Sequence, residues 1–128
     1  VELPVRYGGK FGPDLEETSA RLGLSVGELV DRHVSAEYVV GFMGFTPGFA
    51  YMSGLPTSLS VPRLEHPRQR LAAGSVGIAA GQCGLYALDG PGGWPIIARV
   101  MMRLFDTEAP QPFLLEAGTR VTFRRVES

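Results

Sequence analysis

Apolar and polar residues change period twice along this chain. Val1 to Tyr7 alternate in strand fashion, and Pro4 among them predicts an edge position, because proline gives no N–H to a ladder. Gly8-Gly9 breaks the run. Asp14-Leu-Glu-Glu17 then has the form of a capping box, and Leu15, Ala20 and Leu22 are spaced for one buried helix face. Gly23 suits the end of that helix, and Ser25-Val-Gly-Glu28 is a second capping box. Val26, Leu29 and Val30 form the apolar stripe of this second helix, with His33 in its last turn.

From Glu37 the period becomes that of strands. Tyr38 to Phe45 is apolar on both faces, as a doubly buried or barrel strand is. Thr46 to Arg70 is rich in Pro, Gly and Arg and has little periodicity, which predicts a long functional loop. Ser75–Ala79 and Gly84–Leu88 read as strands around a Gly81-Gln-Cys-Gly84 turn, and Asp89-Gly-Pro-Gly-Gly93 reads as a further turn. Trp94 to Leu104 is strand-like again. Thr119 to Val126 alternates, with Val121 and Phe123 directed inward. The sum is a mainly β fold with two short helices near the N-terminus, most simply a closed β-barrel. With 128 residues, 45% of them hydrophobic, the chain reads as one domain over 1–128.

Charge and cysteine content narrow the function classes. Twelve Lys and Arg against 13 Asp and Glu give a net charge of −1, without the overall basic excess of a nucleic-acid or anionic-membrane binder. Cys83 is the single cysteine, so no internal disulfide forms, which says nothing against the expected cytoplasmic location. With only His33 and His66 beside it, no metal site is expected. The longest apolar stretch, Tyr38 to Met52, is interrupted by three glycines, Thr46 and Pro47, and is too short and broken to span a bilayer. No charged n-region followed by an apolar h-region is present. The chain opens at Val1 already in strand pattern, from which we expect an upstream segment.

Three places offer chemistry. Gly44-Phe-Thr-Pro-Gly-Phe-Ala-Tyr51 sets three aromatics among glycines, which suits either a plug for a barrel end or a loop presenting N–H groups and ring faces to a planar ligand. Pro62-Arg63 and Pro67-Arg68 each fix an arginine behind a proline, ready for a two-pronged grip on a carboxylate or phosphate; a solvated basic loop is the plainer reading. Ala73-Gly-Ser-Val-Gly77 lacks the G-x-S-x-G order of a nucleophile elbow, so it reads as a tight turn, with Gln82 and Tyr86 as hydrogen-bonding groups nearby. Neither standard phosphate-cradling glycine motif is present.

Taken in order, Tyr7-Gly-Gly, Gly12-Pro-Asp-Leu15, His33, Gly44–Tyr51, Gly54-Leu55, Pro62-Arg63, Pro67-Arg68, Ala73-Gly-Ser-Val-Gly-Ile78, Gln82 and Pro91-Gly-Gly-Trp94 resemble the family of KipI and the 5-oxoprolinase B subunits, also labelled allophanate hydrolase subunit 1. The resemblance runs over essentially the whole chain. It implies a cyclophilin-like closed β-barrel, preceded in the family by a smaller α/β domain that this chain lacks. It implies a homologous partner of the type called allophanate hydrolase subunit 2 or the 5-oxoprolinase C subunit. It also implies a part in ATP-dependent opening of a cyclic amide or in carboxyl transfer, as in urea carboxylase, with ATP used by the complex and no cofactor bound by this chain. The founding member inhibits a sporulation sensor kinase, so a kinase-inhibitor role is the alternative.

On this reading the expected site lies at the barrel mouth and is shared with the partner. Arg63 and Arg68 hold a substrate carboxylate or similar anion, Gln82 and Tyr86 orient an amide, and Phe45, Phe49, Tyr51 and Trp94 wall the pocket. His33 is the expected proton carrier. The chain departs from the family pattern at Leu64, at Leu71-Ala72, at Cys83 and at Ala98. Arg99 is retained.

Overall fold

The computed structural model describes residues 1–43, 49–104, 108 and 115–126. Among these the order is β1 (Glu2–Tyr7), α1 (Leu15–Leu22), α2 (Val26–Ser35), β2 (Tyr38–Met43), β3 (Phe49–Ser53), a 3-10 turn (Thr57–Leu59), β4 (Arg68–Leu71), β5 (Ser75–Ala79), β6 (Gln82–Tyr86), β7 (Gly90–Gly92), β8 (Ile96–Val100) and β9 (Arg120–Arg125). Seven strands close a barrel in the order β1-β8-β5-β6-β3-β2-β9, and β4 pairs with β7 in a separate two-stranded sheet. The mainly β barrel with two helices is the architecture expected from the pattern.

Closure explains the first departure from expectation. β1 is no edge: it runs antiparallel to β8 (Val5 opposite Val100) and parallel to β9 (Leu3 opposite Phe123). Pro4 is tolerated because the β8 ladder covers only Val5 to Tyr7, while the Pro4 carbonyl accepts from the Met101 N–H at 2.7 Å.

The two capping boxes fare differently. In α2 the Ser25 hydroxyl accepts from the Glu28 N–H, and the Glu28 carboxylate accepts from the Ser25 N–H, at 3.1 and 3.0 Å. These bonds hold the Glu28 carboxyl below its usual pKa. In α1 Asp14 stands at the N-cap but makes no side-chain cap bond, because its carboxylate is engaged elsewhere. Gly23 ends α1 with φ of 70°, the left-handed conformation glycine adopts at low cost. The buried face of α1 is Leu15, Thr18 and Ser19, with Ala20 turned to solvent, while α2 buries Leu29, Val30 and His33.

Two apolar clusters lie on opposite faces of the same strands. Ala50, Met52, Val76, Ile78, Cys83 and Leu85 join the main core, along with Leu3, Val5 and Phe123. Phe49, Tyr86, Trp94, Ile96, Leu71 and Ala79 form the second cluster. β3 is a short strand set between Pro47 and Gly54 in a stretch rich in Pro, Gly and Arg, which is why it reads as loop in the sequence. The Asp89–Gly93 turn likewise resolves into β7, laid against β4. The β5–β6 turn falls at Ala80 and Gly81, with φ of 50° and 80°, as a two-residue hairpin requires. It therefore lies ahead of the expected Gly81–Gly84, and Gln82 and Cys83 are already paired. β9 keeps Val121 and Phe123 inward as expected. Among the described residues no helix is long and apolar enough to cross a membrane.

Candidate functional site

β3 and β6 are hydrogen-bonded neighbours, with Phe49 opposite Tyr86 and Tyr51 opposite Gly84. Strand alternation sends Ala50, Met52, Cys83 and Leu85 to the main core, so Phe49, Tyr51, Gly84 and Tyr86 share the other face. Trp94 follows β7 and completes a group of four rings. Phe49 stands 4.7 Å from Tyr51, 4.6 Å from Tyr86 and 5.5 Å from Trp94, and Tyr51 stands 5.8 Å from Trp94, in edge-on or tilted geometries. Glycine at 84 makes room for them: a Cβ there would lie 2.7 Å from Phe49 and 3.0 Å from Trp94. Gly92 similarly lets β7 rest on Leu71 and Tyr86, at 2.5 and 2.7 Å from where a Cβ would stand.

Against these rings opens a recess of about 360 Å³, walled by Phe49, Tyr51, Tyr86 and Trp94 on one side and by Pro67, Pro91 and Gly92 on the other. Arg63, Leu64 and Gly93 complete its lining. The recess therefore belongs to the face of the barrel wall turned away from the main core, between β3–β6 and the β4–β7 pair, and not to the barrel mouth. Tyr86 has its hydroxyl pushed up to about 12, chiefly by burial, with Tyr51 adding to the shift and a backbone hydrogen bond from Trp94 and the Arg63 charge opposing it. It thus remains a neutral phenol, able to donate a hydrogen bond, throughout the physiological range.

The two proline-fixed arginines separate in role. Arg63 is exposed, makes no ion pair among the described residues, and lines both the aromatic recess and a second one of about 230 Å³ beside Asp14, Glu17, Arg21 and His66. Arg68 makes the two-pronged grip expected of it, but on a carboxylate of this same chain. Its Nη2 donates to Asp14 Oδ1 at 2.5 Å and its Nε to Oδ2 at 3.3 Å. Asp14 Oδ2 also accepts from the Ile96 N–H at 2.8 Å. Asp14 is thereby satisfied while buried, and the expectation that Arg68 grips a substrate anion gives way to a structural pair.

His33 is placed far from expectation. It is fully buried in the main core side by side with Phe123 (centroids 4.9 Å apart). Its Nδ1 is 2.6 Å from the Tyr7 hydroxyl and its Nε2 is 3.4 Å from Cys83 Sγ, while the Tyr38 hydroxyl donates to the His33 carbonyl at 2.8 Å. None of these residues lines the aromatic recess. Burial drives the imidazole down to about 3 and the Cys83 thiol up, so both rest in their neutral forms. A Cys–His contact in that state has neither the thiolate nor the access that nucleophilic catalysis needs, and the proton-carrier expectation for His33 is corrected accordingly. Gln82 is exposed at the start of β6, on the Tyr86 side of the strand but outside the recess lining. Phe45 lies outside the described residues. Pro67, Pro91 and Gly92 are not expected as walls from the sequence, since Pro67 reads as the residue that fixes Arg68 and the other two as part of a turn. Among the described residues no cluster of His, Cys, Asp and Glu suits a metal ion.

The family model described as carboxyltransferase domain, subdomain C and D, matches residues 1–115. The chain is 48% identical over 123 residues to the 5-oxoprolinase B subunit of Escherichia coli O157:H7, covering 96% of this chain and 56% of that protein. It is 46% identical over 126 residues to the 5-oxoprolinase B subunit of Bacillus subtilis, covering 98% and 52%. The chain thus spans about half the length of the curated relatives it matches. Its fold superposes with a TM-score of 0.95 on a conserved uncharacterized protein of Pyrococcus horikoshii, 45% identical, over 99% of this chain and 59% of that one. It also superposes at 0.71 on the urea carboxylase of Kluyveromyces lactis, over 98% and 14% of the two chains, where 16% identity speaks for the fold alone. These matches agree with the motif-based resemblance, and the chain belongs to the carboxyltransferase domain family, subdomain C and D.

Proposed function

We propose that this chain is part of a subunit of a multi-subunit, ATP-dependent hydrolase of the 5-oxoprolinase type, and that it binds the small cyclic amide in the aromatic recess. The observation that carries this reading is the recess itself. Its described lining has four rings, one guanidinium without an ion-pair partner among the described residues, and no carboxylate. A five-membered lactam bearing a carboxylate is small and flat. The faces of Phe49, Tyr51 and Trp94 suit the ring, Arg63 suits the carboxylate in a bidentate pair, and the Tyr86 phenol donates to the amide oxygen. The similarity to two 5-oxoprolinase B subunits supports the substrate class.

The described lining includes no Ser, Cys, His, Asp, Glu or Lys. On this reading the recess binds and orients the amide, and the groups that break its bond, like the ATP site, lie in the rest of this subunit or in partner subunits. One of these is a homologue of the type called allophanate hydrolase subunit 2 or the 5-oxoprolinase C subunit. For the kinase-inhibitor alternative, the large apolar side chains exposed among the described residues (Val1, Val26, Leu88 and Met102) fall on four separate segments and offer no specific support.

The test follows 5-oxoproline cleavage and ATP consumption together, in the reconstituted complex and in one lacking this subunit. Activity that requires the subunit and is weakened in Arg63→Gln through a raised KM supports the reading. A complete, folded and assembled complex that leaves 5-oxoproline intact overturns it.

A further inference from the structure

Arg6 and Arg99 stand directly opposite each other across the β1–β8 ladder. Like charges at such positions repel and weaken a sheet. Both guanidiniums lie over the Phe11 ring, at 5.4 and 5.2 Å from its centroid, and the Lys10 ammonium joins them at 5.2 Å. The quadrupole of one ring is a weak counterweight to three converging cations. The Nε atoms of Arg6 and Arg99 are, moreover, buried without a hydrogen-bond partner, although Arg99 Nη2 donates to the Lys10 carbonyl at 3.2 Å. A charged donor held that way is costly unless an acceptor meets it.

Two adjoining recesses, of about 220 and 120 Å³, share Lys10 and Phe11. Arg6 and Arg125 line the first, and Arg68, Arg70 and Arg99 line the second. Half of the chain's 12 Lys and Arg therefore meet on one surface of a molecule whose net charge is −1. No Asp or Glu is among the described lining residues of either recess. Arg68 and Arg70 are balanced by Asp14 and Asp89, whereas Arg6, Lys10 and Arg99 make no ion pair among the described residues.

We propose that Arg6, Lys10 and Arg99, gathered around Phe11, form a binding site for a phosphoryl group, either as inorganic phosphate or as the phosphate of a small monoester. A dianion with several acceptor oxygens matches three cations better than a monocarboxylate does. The two recesses meet at Lys10 and Phe11, with Arg6 lining the larger and Arg99 the smaller, so the oxyanion sits where they join; each falls below the roughly 300 Å³ at which pockets for whole drug-sized ligands begin, so any remainder of the ligand stays outside. This site shares no lining residue with the aromatic recess and stands independently of the substrate proposed there.

Calorimetric titration of the full chain at fixed ionic strength, with inorganic phosphate, methyl phosphate, acetate and polyglutamate, tests the site. Saturable binding of phosphate or methyl phosphate, tighter than acetate, is expected. Preference for methyl phosphate points to an esterified ligand and preference for the inorganic ion to free phosphate. Lys10→Ala and Arg99→Gln should each weaken binding roughly tenfold, as loss of a charged hydrogen-bonding group does, while Arg32→Gln, the same charge change on α2, leaves it intact. Should Arg99→Gln fail to fold, Lys10→Ala decides the matter, since that side chain is exposed. Equal, unsaturable binding of phosphate and acetate overturns the proposal, as does wild-type affinity in Lys10→Ala. Saturation by polyglutamate alone would make the surface a docking site for an acidic protein instead, and overturn it too.

Discussion

Arg68 closes on Asp14 with both ends of its guanidinium, across 54 positions of sequence, and so ties β4 to the start of α1. The same carboxylate holds the Ile96 N–H at the start of β8. Three elements meet at one side chain that is only 5% exposed. Arg68→Gln should therefore destabilise the fold, by about 1–3 kcal/mol for a poorly satisfied carboxylate. Asp14→Ala should cost more, because it orphans the Ile96 N–H as well. Urea unfolding of both variants measures this, and an unchanged midpoint in Arg68→Gln would refute the structural role.

Arg63 provides the contrasting case. It is exposed and makes no ion pair among the described residues, so Arg63→Gln should leave the unfolding midpoint unchanged. In the reconstituted complex it should raise the KM for 5-oxoproline by roughly tenfold or more, with the loss of a bidentate carboxylate partner. A normal KM would remove Arg63 from the substrate site.

The ring cluster is sensitive at its glycines. Gly84→Ala places a methyl 2.7 Å from Phe49, and Gly92→Ala places one 2.5 Å from Leu71 and 2.7 Å from Tyr86. Each should cost about 1–3 kcal/mol by overpacking and should disturb the recess. Intrinsic fluorescence of Trp94 reports the recess directly, and a spectrum identical to wild type in Gly84→Ala would count against the packing described.

His33 is held neutral in the core, its pKa lowered to about 3 by burial from an ordinary 6.5. A group depressed on folding contributes its stabilisation above the unfolded value and loses it as the pH falls toward the folded one. Stability should thus decline on acidification from about pH 6.5 downward, by at most about 1.4 kcal/mol per pH unit from this one proton. Between pH 6.5 and 5, ahead of most carboxylates, His33→Gln should show a flatter profile of urea midpoints. Equal slopes in the two proteins would refute the assignment.

Cys83 is fully buried and its thiol is raised by desolvation. It should resist alkylation by iodoacetamide in the native protein and react only after unfolding. Labelling of the folded protein, followed by mass spectrometry, checks this directly.

Much of the fold is legible in local pattern. The Ser25–Glu28 capping box, the Gly23 helix end and the inward Val121 and Phe123 rest on contacts a few residues apart, and each stands where the residues place it. β3 and β7 escape such reading. The one is five residues long between Pro47 and Gly54, and the other is made of Gly-Pro-Gly, so turn signals mask both. Of the candidate site, the aromatics Phe49, Tyr51, Tyr86 and Trp94 are recognisable from their motifs and do come together.

The chain's residues thus determine by themselves that it is a mainly β domain with two short helices, and which aromatics and arginines are available for a ligand. Only the tertiary structure decides what each of them faces. Barrel closure makes an inner strand of one that carries a proline, buries His33 beside Cys83, and leaves Arg63 at the recess while Arg68 is spent on Asp14. The physical reason is that periodicity reports how many faces of a segment are buried and never against what. Charge partners 54 residues apart leave no mark in local pattern at all.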